Sequence, residues 1–302
     1  MRRAVKEPSW ETVKLLRWRA SPGALRPLCA GSGLTRVRGG FWAVADDLNH
    51  VIRIPDGKGH GRGYRLFADE PALDAAGRKR VKKDLESLID LGDGRLVAFP
   101  SGSKDRRCRG SLVGLNAKGG FKSALEIDFR PLMELLGSLV PDLNIEGGYV
   151  SRRRLVLLQR GNGRSGFNAV VKLRLKGFLK GLEGRWRPSA LRIRVRRVPL
   201  GSWGGTGLSF TDGFFHEGTA YFAAAAEGGK DTYRDGKVAG SVVGGMRKGL
   251  KPVILARLKG EKIEGLALKS VKDDLLEICA VTDADNPRRL SRLLRTWIKK
   301  AS

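Results

Sequence analysis

The sequence predicts an all-β fold, a β-propeller with five blades of four antiparallel strands each. Three observations support this prediction. The chain of 302 residues contains 41 glycines, and short apolar runs recur between turn signals, which is typical of strands joined by turns. A unit of four such runs repeats along the chain, and the last unit lacks one strand that the N-terminus can supply. Six blades would require a further blade that the repeat does not show.

Each complete unit contains four predicted strands in meander order. The unit that begins at Glu146 reads NIEGGYV, LVLLQRGN, FNAVVKLRL and LRIRVRRV. Equivalent units start near Gly33, Glu86 and Asp212, and a shorter unit of three strands starts at Glu264. A repeat of antiparallel sheets of this length is typical of propeller blades.

The segment ETVKLLRW at residues 11–18 precedes the first unit and belongs to none. It has the length of a strand, so it can complete the last unit beside RLLRTWI and leave the ring without an open edge. We therefore expect residues 1–302 to form one propeller domain. Short helices should decorate it, one at RPLMELLGSL, where Pro131 suits a first helical turn, and a charged one around residues 73–84.

The formal net charge of +27 permits a polyanionic partner, because clustered Lys and Arg release counterions when they bind nucleic acid. In VVKLRLKG and LRIRVRRVP, however, basic residues alternate with apolar ones. This period places them on the solvent face of half-buried strands. A generally basic surface therefore explains the charge, and nucleic-acid binding stays the weaker alternative.

Cysteine and histidine are too sparse for common metal centres. The three cysteines stand far apart without a CxxC pair, and the three histidines form no HExxH motif. The sequence also shows no signal-peptide core and no apolar run of membrane-spanning length. We expect a monomeric cytoplasmic protein that does not contact the membrane.

Propeller geometry brings many polar residues of the repeat to one end of the central channel. The first strand of each blade lines the channel and the second runs antiparallel beside it, so the start of one lies next to the end of the other. We call this end the mouth. The strand starts contribute Glu86, Glu146, Asp212 and Glu264, and the second-strand ends contribute Asp46, Asp47, Ser101, Ser103, Arg160, Asn162, Glu227, Asp283 and Asp285.

Three interpretations of these acids stay open. A hard divalent cation, calcium or magnesium, takes oxygen ligands, and Glu86, Glu146 and Glu264 are the candidate ligands. The acids could instead catalyse acid–base chemistry directly. They could also hold the ring together by accepting backbone N–H bonds or by pairing with basic residues such as Arg160 and Lys262.

Other common catalytic motifs are absent or out of context. GNGRSG at residues 161–166 satisfies GxGxxG, but a strand-like segment follows it and not a helix. This context predicts a hairpin loop and not a dinucleotide site. The sequence contains no GxxxxGK[ST] and no GxSxG. This argues against a P-loop nucleotide site and against a nucleophile elbow.

The signatures LNIEGG followed by LLQRGN, and KIEGLAL followed by VTDADNP, carry a resemblance over about residues 30–290. The chain resembles an uncharacterised bacterial β-propeller family akin to the phytase-associated esterase-like domains and the SdiA-regulated proteins. This resemblance implies mainly the fold. A more distant analogy is with gluconolactonase-type propellers, in which a Glu-Gly motif carries a metal-ligating glutamate for lactone hydrolysis.

We therefore predict a metal-assisted hydrolase of an ester, lactone or phosphoester at the acidic mouth, where Arg160 could hold an anionic substrate group. One alternative is a non-enzymatic propeller that binds a protein or a small molecule. The other is a polyanion or nucleic-acid binder. The sequence does not identify the substrate.

Overall fold

The computed structural model describes residues 8–20, 23–68, 82–228, 238–283, 286 and 288–301. In this part of the chain, five sheets form the blades of a propeller, as predicted, and there is no sixth blade. In blades 1 to 4 the four main strands follow one another in the order of the chain, from the channel to the rim, and in blade 5 the outermost strand comes from the N-terminal segment.

The strands of the blades have the following bounds. Blade 1 contains β4 (Gly31–Val37), β5 (Gly40–Ala45), β6 (His50–Pro55) and β7 (Gly61–Arg65). Blade 2 contains β8 (Leu85–Asp90), β9 (Arg95–Pro100), β10 (Arg109–Leu115) and β11 (Phe121–Asp128). Blade 3 contains β12 (Ile145–Ser151), β13 (Arg154–Gln159), β14 (Ala169–Arg174) and β15 (Arg194–Arg197). Blade 4 contains β17 (Thr206–His216), β18 (Thr219–Glu227), β19 (Val238–Arg247) and β20 (Val253–Lys259), preceded by the short β16 (Ser202–Trp203).

Blade 5 closes the ring with the N-terminal strand, as the sequence predicts. It contains β21 (Lys262–Lys272), β22 (Leu275–Asp283), β23 (Arg292–Lys299) and β1 (Glu11–Leu15), which pairs antiparallel with β23. The predicted strand is shared between two blades, because β2 (Arg17–Ala20) pairs in parallel with β7 at the rim of blade 1. β3 (Arg26–Pro27) extends that edge. The N-terminal segment thus joins the last blade to the first.

The hydrophobic core is divided into five clusters, each between two adjacent blades. The cluster between blades 2 and 3 contains Phe99 and Leu157, and the cluster between blades 5 and 1 contains Val281 and Leu34. The other three clusters fill the remaining interfaces. Burial of these apolar faces holds the blades against one another and fixes the position of the inner strands.

Among the described residues, three helices lie on blades 2 and 3. The predicted helix is present as α1 (Arg130–Gly137), with Pro131 in its first turn. The connection from β14 to β15 contains α2 (Leu175–Leu182) and α3 (Pro188–Leu191), which the sequence did not predict. Of the predicted charged helix, residues 73–81 lie outside the described residues, and residues 82–84 are not helical. No described helix has the length and apolarity needed to cross a membrane.

Candidate functional site

Each inner strand contains a β-bulge, which sets one residue apart from the regular ladder. The register between the first and second strands shifts at Ser32, Glu86, Glu146, Thr211 and Glu264, one residue in each blade. In a bulge two residues oppose one, so the extra residue turns away from the ladder. The recurrent glutamates of the sequence occupy this position in three blades.

The equivalence of blades 1 and 4 differs from the sequence prediction by one residue. Thr211, and not Asp212, is the bulge residue of blade 4, and Ser32, and not Gly33, is that of blade 1. Asp212 occupies the next position, which is Gly147 in blade 3. Aligning the units on their acids therefore shifted two of the five blades.

The residues after the bulges form the floor of the mouth, where neighbouring inner strands approach closely. A methyl group on Gly147 would lie 2.6 Å from the Cα of Asp212, and one on Gly265 would lie 2.7 Å from the backbone nitrogen of Leu34. Glycine is required there because a side chain would collide with backbone. The Gly of the Glu-Gly signature is thus a packing residue.

Asp212 does not belong to the acids of the mouth. Its carboxyl is buried, and Oδ2 accepts a hydrogen bond from the backbone N–H of Leu266 at 2.8 Å. The backbone N–H groups of Gly213 and Leu34 also bond it, and burial raises its pKa well above the usual range. Asp212 therefore links the inner strands of blades 4, 5 and 1, which is the ring-stabilising role considered above.

Arg160 lies at the centre of a buried ionic cluster. It follows β13, and its guanidinium contacts Glu146 at 3.0 Å, Glu264 at 3.5 Å and Glu227. These acids belong to blades 3, 5 and 4. Protein carboxylates occupy Nη1 and Nη2, and Nε is buried without a partner in the described chain, so the expected contact with an anionic substrate group has no accessible donor face to use.

Lys262 supplies the second cation of this cluster. Its ammonium lies 2.9 Å from Glu264 and 3.5 Å from Glu227. It stands two residues before the bulge residue Glu264. The pairing of the mouth acids with Arg160 and Lys262 agrees with the structural interpretation of the sequence, and it compensates the cost of burying these charges.

Glu146 is buried with both oxygens bonded. Oε1 accepts a hydrogen bond from Asn144 at 2.7 Å, and Oε2 accepts one from Arg160 at 3.0 Å. Burial raises the pKa of Glu146 to about 7, Arg160 opposes this rise, and Glu264 adds to it. Glu146 is therefore a tightly held acid that still binds a proton near neutral pH.

A second cluster lies on the blade 2 side of the mouth. Lys82 contacts Asp46 and, at 2.8 Å, Asp84, while Arg107 contacts Asp84 at 2.9 Å. Ser101 donates its hydroxyl to Asp84. The pKa of Asp84 is lowered because Lys82 and Arg107 outweigh the effect of burial. Asp84 is therefore an ionised, fully partnered acid.

Glu86 is the exception among the mouth glutamates. It is partly exposed, and it forms no hydrogen bond or ion pair with another described residue. Its pKa is raised well above the ordinary value, first by desolvation and then by the charges of Glu146, Asp84 and Asp46. Lys82 opposes this rise only in part. Glu86 therefore retains its proton where an ordinary glutamate has lost it.

The charge balance of the two clusters adds to the effect of burial, which is the first cause of the raised pKa of Glu86 and of Glu146. Six acids face four cations in the two clusters, so these clusters have two acids in excess. The acids are Asp46, Asp84, Glu86, Glu146, Glu227 and Glu264, and the cations are Lys82, Arg107, Arg160 and Lys262. Like charges that cannot all be compensated keep protons.

One group of acids has the spacing of a metal site. One oxygen from each of Asp46, Asp84 and Glu86 lies within 4.8 Å of the others. Of the expected ligands only Glu86 belongs to it, since Glu146 and Glu264 contact Arg160 and Lys262. The ammonium of Lys82 already lies between Asp46 and Asp84, so a cation would have to displace it.

Sequence reasoning missed Asp84 and Asn144, which stand two positions before a bulge, whereas it named Lys262 as a pairing partner of the acids. Asp84, Asn144 and Lys262 stand two residues before Glu86, Glu146 and Glu264, and each contributes to the mouth. A polar residue occurs two positions before the bulge in three blades, and this repeat could have identified these residues from the sequence. Lys82 and Arg107 carry no such repeat, because only their own loops bring them to the mouth.

The remaining predicted residues lie at the edge of the mouth or outside the description. Asp283 ends β22 opposite Lys262, and Ser103 bonds Ser101 and Arg107. Asn162 lies 3.4 Å from Asn144. Asp285 lies outside the described residues.

A cleft of about 750 Å³ opens beside the ionic cluster, between blades 3 and 4. Arg160 and Glu227 form part of its wall, together with Asn168 and Ser209. Glycine-rich backbone from residues 161–166 and 201–207 lines the rest. A small molecule can therefore reach the cluster from this side.

The sequence and the fold have relatives of two kinds. Residues 27–298 match the model of a family of unknown function, DUF6929. No curated protein matches the sequence. Among solved structures, the chain is similar to a glutaminyl cyclase from Myxococcus xanthus, with 9% identity and a TM-score of 0.49 over 96% of this chain and 97% of that one.

A GH43 endo-arabinanase from Bacillus licheniformis has 10% identity and a TM-score of 0.40 over 89% of this chain and 93% of that one. Similarity at this level carries no information about chemistry. The family match agrees with the expected uncharacterised propeller family. The kinship with esterase-like and SdiA-regulated proteins stays a prediction.

Proposed function

The chain belongs to DUF6929, a family of unknown function, and we propose from its own residues that it is a hydrolase of carboxylic esters or lactones. In this proposal the reaction takes place at the mouth, with Glu86 as the acid–base residue. The observation that carries the proposal is that Glu86 alone among the mouth glutamates is accessible and unpaired in the described chain while its pKa is raised.

A general acid must hold a proton at the working pH and must be able to give it up. Burial and the neighbouring Glu146, Asp84 and Asp46 keep Glu86 protonated. Carboxyls tuned in this way act as acids at neutral pH in many enzymes. The other glutamates do not meet the second condition, since Glu146 and Glu264 are bound to buried cations.

The reaction follows from this assignment. Water adds to the carbonyl carbon, the bond from the acyl carbon to the leaving oxygen breaks, and Glu86 gives its proton to that oxygen. The carboxylate of Glu86 then recovers a proton from the added water. The products are a carboxylic acid and an alcohol, which are joined in one molecule when the substrate is a lactone.

The charge of the mouth favours a neutral substrate. The described cations of the mouth are already paired with carboxylates, so they offer little to a phosphoester, whereas an ester or lactone carries no charge at the bond that breaks. The cleft beside Arg160 and Glu227 is not lined by Glu86, so it supports the proposal only as an opening near the ionic cluster. A neutral substrate also agrees with Arg160 being occupied by protein acids.

A metal-assisted form is the second candidate, and the spacing of Asp46, Asp84 and Glu86 favours it. A divalent cation there would neutralise the excess acids and would admit a phosphoester. Lys82 would have to leave its contacts with Asp46 and Asp84. The two candidates are distinguished by whether activity needs added calcium or magnesium after dialysis against a chelator.

The test is hydrolysis of p-nitrophenyl acetate, a γ-lactone and bis-p-nitrophenyl phosphate by the wild type and by Glu86→Gln. We expect ester or lactone hydrolysis without added metal, reduced roughly a hundredfold or more in Glu86→Gln. The rate should fall as pH rises through the raised pKa of Glu86, since the proton is then lost. The matched control is Glu134→Gln, an exposed glutamate of α1.

Equal activity in Glu86→Gln and the wild type would refute the role of Glu86. Hydrolysis of the phosphodiester alone, and only with metal, would replace the proposal with its second form. Absence of turnover of all three substrates under both conditions would favour a binding protein.

A further inference from the structure

Blade 3 carries a group of basic side chains that the mouth does not use. Lys172 of β14 faces Arg194 of β15 in the ladder, and Arg154, Arg196 and Lys248 are its charged neighbours. We call these five residues the basic cluster. It lies on the flank of blade 3 that faces blade 4, because Arg196 contacts Met246 of β19 at 3.0 Å and Lys248 follows that strand.

No described acid compensates these charges. None of the five residues forms an ion pair within the described chain. The pKa of Lys172 is lowered by desolvation and by the charges of Arg196, Lys248 and Arg154. A nitrogen of Arg154, Nη1, is inaccessible to solvent and has no hydrogen-bond partner in this part of the chain. The exposed members of the cluster, Lys172, Arg194, Arg196 and Lys248, therefore carry positive charge that no described acid compensates.

We propose that the basic cluster binds the phosphodiester backbone of a single-stranded nucleic acid. Phosphate oxygens accept the hydrogen bonds that guanidinium and ammonium groups offer, and each contact releases counterions. Arg194 and Arg196 stand two residues apart on one strand face, so they are spaced about 7 Å from each other. This spacing is comparable to that of successive phosphates in an extended strand.

The spread of the cluster over two blades favours a single strand. Arg196 of blade 3 contacts Met246 of blade 4 at 3.0 Å, so the cluster crosses from one blade to the next. A flexible strand can follow charges that are distributed over two blades. No aromatic ring belongs to the cluster, so binding should depend on phosphates and not on base sequence.

The experiment uses the full chain and a fluorescently labelled oligothymidylate, with affinity measured over a series of salt concentrations. The variant is the triple change Lys172→Gln, Arg194→Gln and Arg196→Gln. We expect it to reduce the slope of log affinity against log salt by about 2, because three phosphate contacts are lost. Affinity at low salt should fall roughly tenfold or more.

The matched control removes the same charge from the rim of blade 1. Arg17, Arg19 and Arg26 are exposed on β2 and β3, and they have no described ion pair either. Their triple change to Gln should leave the affinity close to that of the wild type. Circular dichroism would verify that both triple variants keep the fold.

Equal losses in the two triple variants would mean that net charge alone holds the oligonucleotide, and would overturn the proposal. Failure of the wild type to bind would overturn it as well. A third arm uses phosphatidylserine vesicles. Loss of vesicle binding with unchanged oligonucleotide binding in the cluster variant would assign the surface to a membrane instead. Ester hydrolysis should be the same in all three proteins, which separates this proposal from that for the mouth.

Discussion

The mouth and the basic cluster are both groups of charged side chains, but in the described chain the charges are paired in the mouth and unpaired in the basic cluster. In the mouth, Arg160 and Lys262 are buried, and carboxylates from three blades surround them. In the basic cluster, Lys172 and Arg196 are exposed, and their charged neighbours have the same sign. The difference follows solvent access, since a buried charge needs a partner and an exposed one does not.

The two regions should therefore differ in what they do for stability. Pairing in the mouth connects blades 3, 4 and 5 through one guanidinium, so it contributes to the closure of the ring. Repulsion in the basic cluster opposes folding slightly and is offset elsewhere. Charge alone does not reveal a functional surface. Glu86 in the mouth and the cations of the basic cluster share one property. Neither has an ion-pair partner of opposite charge among the described residues.

Among the variants that test this difference, Arg160→Met should have the largest effect on stability. Removing the guanidinium leaves Glu146, Glu227 and Glu264 buried without their main partner. We expect the free energy of unfolding to fall by about 3 to 5 kcal/mol. Urea denaturation at neutral pH measures it.

The control is Arg196→Met in the basic cluster, which removes the same side chain from an exposed position. Its effect should stay within about 0.5 kcal/mol. Similar losses in both variants would show that packing of the arginine side chain, and not pairing of its charge, distinguishes the two regions.

Much of the mouth could be predicted from the sequence because the propeller repeats it. The glutamates at 86, 146 and 264 mark bulges in three blades, and Arg160 and Glu227 follow from the ends of the second strands. Asp212 was misplaced because blade 4 has its acid at the position of the floor, where other blades have a small residue. An acid is thus a weaker marker of register than the bulge itself.

Other features depend on tertiary contacts that have no local signature. Asp84 adopts a left-handed backbone with a φ of 59°, and this turn places it beside Lys82 and Arg107. The helix α2 contains two glycines, which lower helix propensity. They are needed because Gly177 packs against the backbone of Ala190 and Gly181 against the ring of Trp186.

The second largest effect is a pH dependence of stability that comes from the mouth. The pKa of Glu146 is raised to about 7 by burial, whereas in the unfolded chain it is near the ordinary value. The folded protein therefore binds the extra proton, and this contribution to stability is lost as pH rises from about 4.5 to about 7. Relative to Glu146→Gln, the wild type should lose roughly 3 kcal/mol over this range.

The measurement is urea unfolding of both proteins at about pH 5 and about pH 8. The difference between them isolates residue 146, because the other acids titrate in both. A difference that does not change with pH would contradict a raised pKa.

The smallest effect is expected from Lys172→Glu, which gives the basic cluster the acid that it lacks. The new carboxylate would face Arg154, Arg196 and Lys248 in place of a like charge. Because the site is exposed, we expect a gain in the free energy of unfolding of no more than about 1 kcal/mol at low salt. The gain should fade in concentrated salt, which screens exposed charges.

Lys122→Glu on β11 makes the same change at an exposed lysine without a described ion pair, and it should give no comparable gain. An equal gain in both variants would mean that stability follows the net charge of the chain, and that the basic cluster is not a local site of repulsion.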